Sequence, residues 1–331
     1  MQKFDKQMAY SNVSFQIMSY LDGNYILGSE YVTEIFFWVK ELERRPGRAY
    51  KKISPQLSKR GQLVEWSRDV SCKLGLCEST FHLAVRLIDL FMDGHEIAVS
   101  VASAACTQSN YIVLCSLQDP QLYLVALGGL LLAAKMEEKD GNIPKCTKLN
   151  SFVKNFFPIR DFYSIELVML NYFDWNISLP TACYFASTLL PYSILETDRL
   201  VSGPILHYSK AQAYLEEYVQ LFLKLSVSEI SFIELLPSVV GVAVVAAARK
   251  AFGLVEAWPF KLQRMTDYSW ADLHFVVQRL LFNLQQMSAS TYDEGYGSCS
   301  GSPINSSQVL WSYVLRKQDL KDDQNGQIRS R

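Results

Sequence analysis

The chain has 331 residues, 49% of them hydrophobic and 20% charged, with a formal net charge of −1. A chain of this size is expected to fold as about two domains around a sizeable core, which excludes global disorder. Near-zero charge argues against a basic nucleic-acid surface as its main business, and no apolar run reaches the roughly 18 residues that a membrane span needs.

In chain order, a segment over 1–50 carries the first periodic element. The run YVTEIFFWVKELERR reads as an amphipathic helix at about 29–45, stopped by Pro46-Gly47. In FHLAVRLIDLFMD the residues Ala84, Leu87, Ile88 and Phe91 fall at helical spacing and predict a buried stripe. The stretch 124–138, LVALGGLLLAAKMEE, is apolar almost all round and rich in Gly and Ala, so it is expected to lie at the centre of a bundle with close neighbours. In YSIELVMLNYFDW, the residues Ile165, Leu167, Leu170 and Phe173 fall on the next stripe at helical spacing. A second all-round apolar segment, PSVVGVAVVAAARKAF, occupies 237–252. After each apolar segment comes a polar stretch, then Tyr-Ser (Tyr163-Ser164 and Tyr268-Ser269) and another amphipathic run. This predicts one helical unit in two copies, joined near Leu179-Pro180. Prolines 144, 158, 180, 191, 237 and 259 punctuate the pattern and period-two alternation is lacking, so the expected class is all-α. From about Ser288 the composition turns to Ser, Gly, Asn and Gln, and the tail 289–331 reads as disordered.

Catalytic and metal-binding patterns are missing. No glycine-rich phosphate loop, no HExxH and no GxSxG occurs. The histidines 82, 95, 207 and 274 have no metal-ligand spacing, and His82 reads as a structural histidine. Glu137 and Glu138 point in different directions on a helix and read as a solvated helix end. The seven cysteines are scattered without any Cys-x-x-Cys, which suits reduced thiols in cytosol or nucleus, with Cys72 and Cys77 expected buried or inert. The N-terminal run MQKFDKQMAYSN lacks the apolar core of a secretory signal. No enzyme, cofactor, metal or membrane is expected.

The stretch KRGQLVEWSRDVSCKLGLCESTFHLAVRLIDLFMD, followed by LYLVALGGLLLAAKMEEKD, resembles the cyclin box. Counterparts of the five hallmark residues of that family stand in order: Arg60, Asp89, Leu124, Lys135 and Glu166. Further on, PTACYF and LLPSVV with SWADL resemble the second box of the family. The resemblance implies an all-α protein of two tandem five-helix boxes preceded by an N-terminal helix. The first box would span 51–178, with an insert at about 98–120, and the second 179–288. It implies a regulatory subunit that binds and activates a cyclin-dependent serine/threonine kinase as a heterodimer in cell-cycle control, in nucleus and cytoplasm.

The same resemblance distributes roles. Arg60 and Asp89 would form an internal structural ion pair. Lys135 and Glu166 would hold kinase backbone and each other. Leu132, Met136, Leu167, Leu170 and Ile177 would floor the site, and Ile35 and Trp38 of the preceding helix would touch the same partner. The substrate-docking patch, built on MRAIL in many members, has KRGQL here. Lys59 and Gln62 replace its Met and Ile, Tyr123 stands for a Gln, and Leu63, Trp66 and Asp69 remain, so docking of Arg-x-Leu peptides should be weak. The insert, AVSVASAACTQSNYIVLCSLQDP, resembles no family element and reads as an added loop or retained intron sequence. Two rivals stand beside the kinase-activating reading. One is a cyclin-fold transcription factor, disfavoured by the charge and the missing zinc ribbon. The other is a cyclin-fold scaffold without kinase activation, which Lys135 and Glu166 disfavour.

Overall fold

The computed structural model describes residues 29–44, 50, 54, 56–95 and 120–293. Apart from Pro120, the expected insert lies outside the described residues, as does the expected tail beyond Asp293. Helix α1 spans Ser29–Glu43. Five helices follow in a first group: α2 (Arg60–Leu74), α3 (Glu78–Gly94), α4 (Pro120–Glu137), α5 (Cys146–Ser151) and α6 (Ile159–Tyr172). A second group has α7 (Ala182–Leu189), α8 (Tyr208–Ser228), α9 (Pro237–Phe252), α10 (Phe260–Thr266) and α11 (Trp270–Asp293). Among the described residues the architecture is all-α, in two groups of five helices behind a leading helix. The exception is a two-stranded ribbon, β1 (Arg199–Leu200) and β2 (Gly203–Pro204), too short to show as alternation in the sequence. The chain forms one compact unit up to Val277, part-way along α11, and a second unit from Gln278.

Helices α4 and α9 are the centres of the two groups. α4 packs on α3, α6 and α2, and α9 packs on α8 and α7. Both are buried almost throughout, and glycine is what permits the approach of their neighbours. A Cβ on Gly129 would sit 2.7 Å from Cγ1 of Ile88 on α3, and one on Gly241 would sit 2.5 Å from the carbonyl oxygen of Ala182 on α7. Neither leaves room for a methyl group.

The stripe on α3 is buried as its spacing predicts, with Ala84, Leu87, Ile88 and Phe91 in the core. The apolar stripe on α6 is only partly buried. Phe162 and Met169 are the buried residues, Ile165 packs partly against the core, and Leu167 faces outward. The segment has apolar residues on two faces, so periodicity alone does not select the one that meets α4.

Two further expectations are corrected. Glu138 is buried rather than solvated. Its Oε1 accepts the Cys77 N–H and the Thr80 hydroxyl, each at 2.7 Å, and so caps the start of α3 from another element. Burial pushes this carboxyl up, but these donated bonds outweigh it and hold it below the usual carboxylate range. Cys72 and Cys77 are exposed, so of the two alternatives, buried or inert, burial does not hold.

Helix α1 packs on α10 and α7 of the second group. Phe36 meets the Phe185 ring edge-on at 5.1 Å. Two buried charges secure the contact. Lys40 donates to the Thr266 carbonyl at 3.2 Å and lies 3.8 Å above the Tyr268 ring. Glu43 accepts the Ser238 N–H at 2.9 Å and the Ser238 hydroxyl. Burial pushes the Lys40 ammonium down and the Glu43 carboxyl up.

Candidate protein-interaction site

Arg60 begins α2, and its guanidinium meets Asp89 of α3 side-on, Nε to Oδ1 at 2.8 Å and Nη2 to Oδ2 at 2.9 Å. Both side chains are buried. A two-point guanidinium–carboxylate contact fixes relative orientation as well as distance, so it locks α2 against α3. Out of water, it contributes chiefly by making the loss of either partner costly.

Lys135 and Glu166 form a different kind of pair. Gly128 of α4 faces Ile165 and Met169 of α6. Two turns further along the same helix face stands Lys135, at the end of the apolar run, where a cation suits the helix dipole. Its ammonium donates to Oε1 of Glu166 on α6. The Lys135 side chain is 43% exposed and that of Glu166 15%, so the pair sits at the surface, on one side of the molecule.

On α6, positions 163, 166, 167 and 170 share a face by helical spacing. Around Glu166 that face is apolar and outward: Tyr163 is 61% exposed, Leu167 51%, and Leu170 is half-buried. Val168, Trp175 and, on α4, the half-buried Met136 add to the apolar surface of these elements. The residues expected to floor the site lie at two depths. Leu132 is 1% exposed and Ile177 7%, so both belong to the core and support the surface from beneath. On α1, Ile35 and Trp38 are half-buried, while Tyr31 and Phe37 are the apolar residues turned outward. Sequence reasoning missed Tyr163, Val168, Tyr31 and Phe37. The signal was there, since each breaks the polar face of an amphipathic helix.

The residues expected to remain of a docking patch are divided. Leu63 is buried in the core and Asp69 is exposed. Trp66 is half-buried and meets the buried Tyr123 ring edge-on at 4.8 Å and 85°. Lys59 is half-buried and Gln62 exposed, so polar side chains stand where apolar ones would be needed.

His82, buried on α3, has its Nε2 3.6 Å from Glu78. Among the described residues no group of three or more His, Cys, Asp or Glu side chains is placed to hold a metal ion. Likewise, none of the described helices is long and apolar enough to cross a membrane.

The family model "Cyclin, N-terminal domain" matches residues 34–178, and "Cyclin, C-terminal domain" matches residues 205–303. Cyclin-J of Xenopus laevis is 34% identical over 238 residues, covering 70% of this chain and 57% of the relative. Cyclin-J of Homo sapiens is 35% identical over 238 residues, covering 70% of this chain and 56% of the relative. The chain thus spans a little over half the length of these two relatives. The Cyclin-J-like protein of Mus musculus is 30% identical over 281 residues, covering 82% of this chain and 67% of the relative. Among solved structures, a viral cyclin from Herpesvirus saimiri shares the fold, with a TM-score of 0.55 and 12% identity, over 77% of this chain and 97% of that one. The chain belongs to the cyclin family.

Proposed function

We propose that this chain is the regulatory subunit of a cyclin-dependent serine/threonine kinase in cell-cycle control, acting in nucleus and cytoplasm. It takes its kinase on the face around Lys135 and Glu166. One observation carries the reading: an ion pair between two helices stands at the surface amid outward-turned apolar side chains. An exposed pair stabilises a fold by only about 0–1 kcal/mol, and large apolar groups in water add nothing to it. A partner that covers the face turns the same groups into a hot spot, with apolar anchors around a central polar contact.

The order of events follows from polar satisfaction. Covering Lys135 removes water from its ammonium, which is costly unless other acceptors meet it. Glu166 already supplies one, and kinase backbone carbonyls supply others. Met136, Leu167, Leu170 and Tyr163 then receive the mobile regulatory helix of the kinase, with Ile35 and Trp38 on its flank. In a free kinase that helix is turned out, and the Lys–Glu pair that orients the ATP phosphates is broken. A rigid surface that binds only the turned-in state shifts the balance, and moving it from mostly off to mostly on takes about 5 kcal/mol of differential binding. Phosphoryl transfer stays with the kinase.

The test is capture of an associated kinase from dividing cells by the wild-type chain and by the Lys135→Ala, Glu166→Ala double variant. The pair is at the surface, so circular dichroism should show both chains folded. Loss of captured kinase and of its activity in the variant is expected. Equal capture by both chains would overturn the site, and no kinase with either would favour a scaffold for other partners.

A further inference from the structure

Between the two helical groups lies a cleft of about 80 Å³ that the reading above does not use. Arg60, Arg86 and Asp89 line one side, and Val227, Ile233 and Val240 stand among the residues lining the other. Arg60 is only 3% exposed and spends Nε and Nη2 on Asp89, but among the described residues its Nη1 has no hydrogen-bond partner. An unmet buried donor is rare and costly in a native fold. The comparison within this chain is the buried Arg249, whose guanidinium donates to Asp198 and to three backbone carbonyls, so that every N–H is met. Arg60 makes two such bonds where Arg249 makes five, and its unmet Nη1 stands beside an opening.

The charge of the lining points the same way. Among the described residues that line the cleft, Arg60 and Arg86 bring two guanidiniums and Asp89 the one carboxylate. That carboxylate already accepts both bonds from Arg60. The facing wall brings Val227, Ile233 and Val240 together with Thr181 and Ser226, and the Ile233 carbonyl accepts from Arg86 Nη1 at 3.5 Å. An occupant therefore needs a negatively charged acceptor next to an aliphatic surface. The space is well below the roughly 300–1,000 Å³ of a pocket that engulfs a free small molecule. It suits the end of one side chain whose parent lies outside.

We propose that this cleft docks a peptide segment of a partner protein, inserting an Asp or Glu side chain between Arg60 and Arg86 and laying a neighbouring aliphatic residue on Val227, Ile233 and Val240. The site is separate from the Lys135–Glu166 face and does not depend on the kinase reading. Its recognition is charge-assisted on one side and hydrophobic on the other.

The test is an NMR titration of the isotope-labelled full chain with acetyl-Leu-Asp-Leu-amide, its Asn counterpart and inorganic phosphate. The acidic peptide is expected to shift resonances of Arg60, Arg86, Val227 and Val240, and to bind at least about tenfold more tightly than the Asn peptide. Arg86→Gln should weaken the acidic peptide by a similar factor, while the Lys135→Ala, Glu166→Ala chain should bind it unchanged. Equal binding of the Asp and Asn peptides to the wild type would overturn the proposal, whether or not Arg86→Gln folds. So would shifts confined to other surfaces, or phosphate reproducing the same shifts at equal strength, which would mark a plain anion site.

Discussion

Arg249 and Asp198 are joined in the second box by two bonds of 2.7 Å, Nη1 to Oδ2 and Nη2 to Oδ1. Nε and the remaining N–H groups reach the carbonyls of Ala257, Ser193 and Glu256, and the arginine is fully buried. The pair ties the end of α9 to the loop before β1. Removing one partner leaves an uncompensated charge in the core, at a cost of about 3–5 kcal/mol. Asp198→Ala should therefore lower the unfolding free energy by that order in a urea titration. A change under about 1 kcal/mol, within the range of an exposed pair, would contradict this account.

Glu138 offers a smaller and more selective test. Its carboxylate serves both the Cys77 N–H and the Thr80 hydroxyl at the start of α3. Glu138→Ala strands both donors and should cost about 1–3 kcal/mol. Glu138→Gln keeps an acceptor oxygen in place and should recover much of the loss. Thermal melts of the two variants check it, and equal destabilisation would show that the charge, not the acceptor, matters.

His82 gives the fold a pH dependence of known sign. Burial pushes its imidazole below the ordinary histidine value, and the nearby Arg68 adds to this, while Glu78 opposes it. The folded chain thus holds the ring neutral where the unfolded chain protonates it. Stability is full above the ordinary value near pH 6.5 and falls as pH drops below it, by at most about 1.4 kcal/mol per pH unit for one proton. Glu43, whose carboxyl burial pushes up, acts in the opposite sense. The difference between wild type and His82→Asn isolates the ring. The unfolding free energy of the wild type minus that of the variant should fall from pH 7 to pH 5 in urea titrations, and parallel curves over that range would refute the assignment.

The remnant docking patch should be closed to Arg-x-Leu peptides. Tyr123 is buried with its ring against Trp66, and Lys59 and Gln62 bring polar groups where apolar ones are needed. A fluorescence titration following Trp66 should give no micromolar binding for the wild type. Tyr123→Gln combined with Gln62→Ile should strengthen it by about tenfold or more. Micromolar binding by the unaltered chain would contradict the expectation.

Local rules carry far in this chain. All-round apolarity marks α4 and α9 as bundle centres, because a helix without a polar face has to be surrounded. Prolines and glycines mark the breaks, and the spacing of α3 names its own buried face. The likeness to the cyclin box places Arg60 with Asp89 and Lys135 with Glu166 in advance of any coordinates. Tertiary structure decided the rest. α6 has apolar residues on two sides, and only packing on α4 turns Phe162 and Met169 inward and leaves Leu167 outside. Whether Leu132 and Ile177 are surface or core was settled in the same way. Arg249 lies 51 residues from Asp198, and Glu43 lies 195 from Ser238. Periodicity is a property of one helix, whereas a buried polar partner belongs to whichever element the fold brings alongside. The sequence alone therefore determined the helices and their likeness to a family, and only the packed bundles decided which charges meet and which apolar faces are left for a partner.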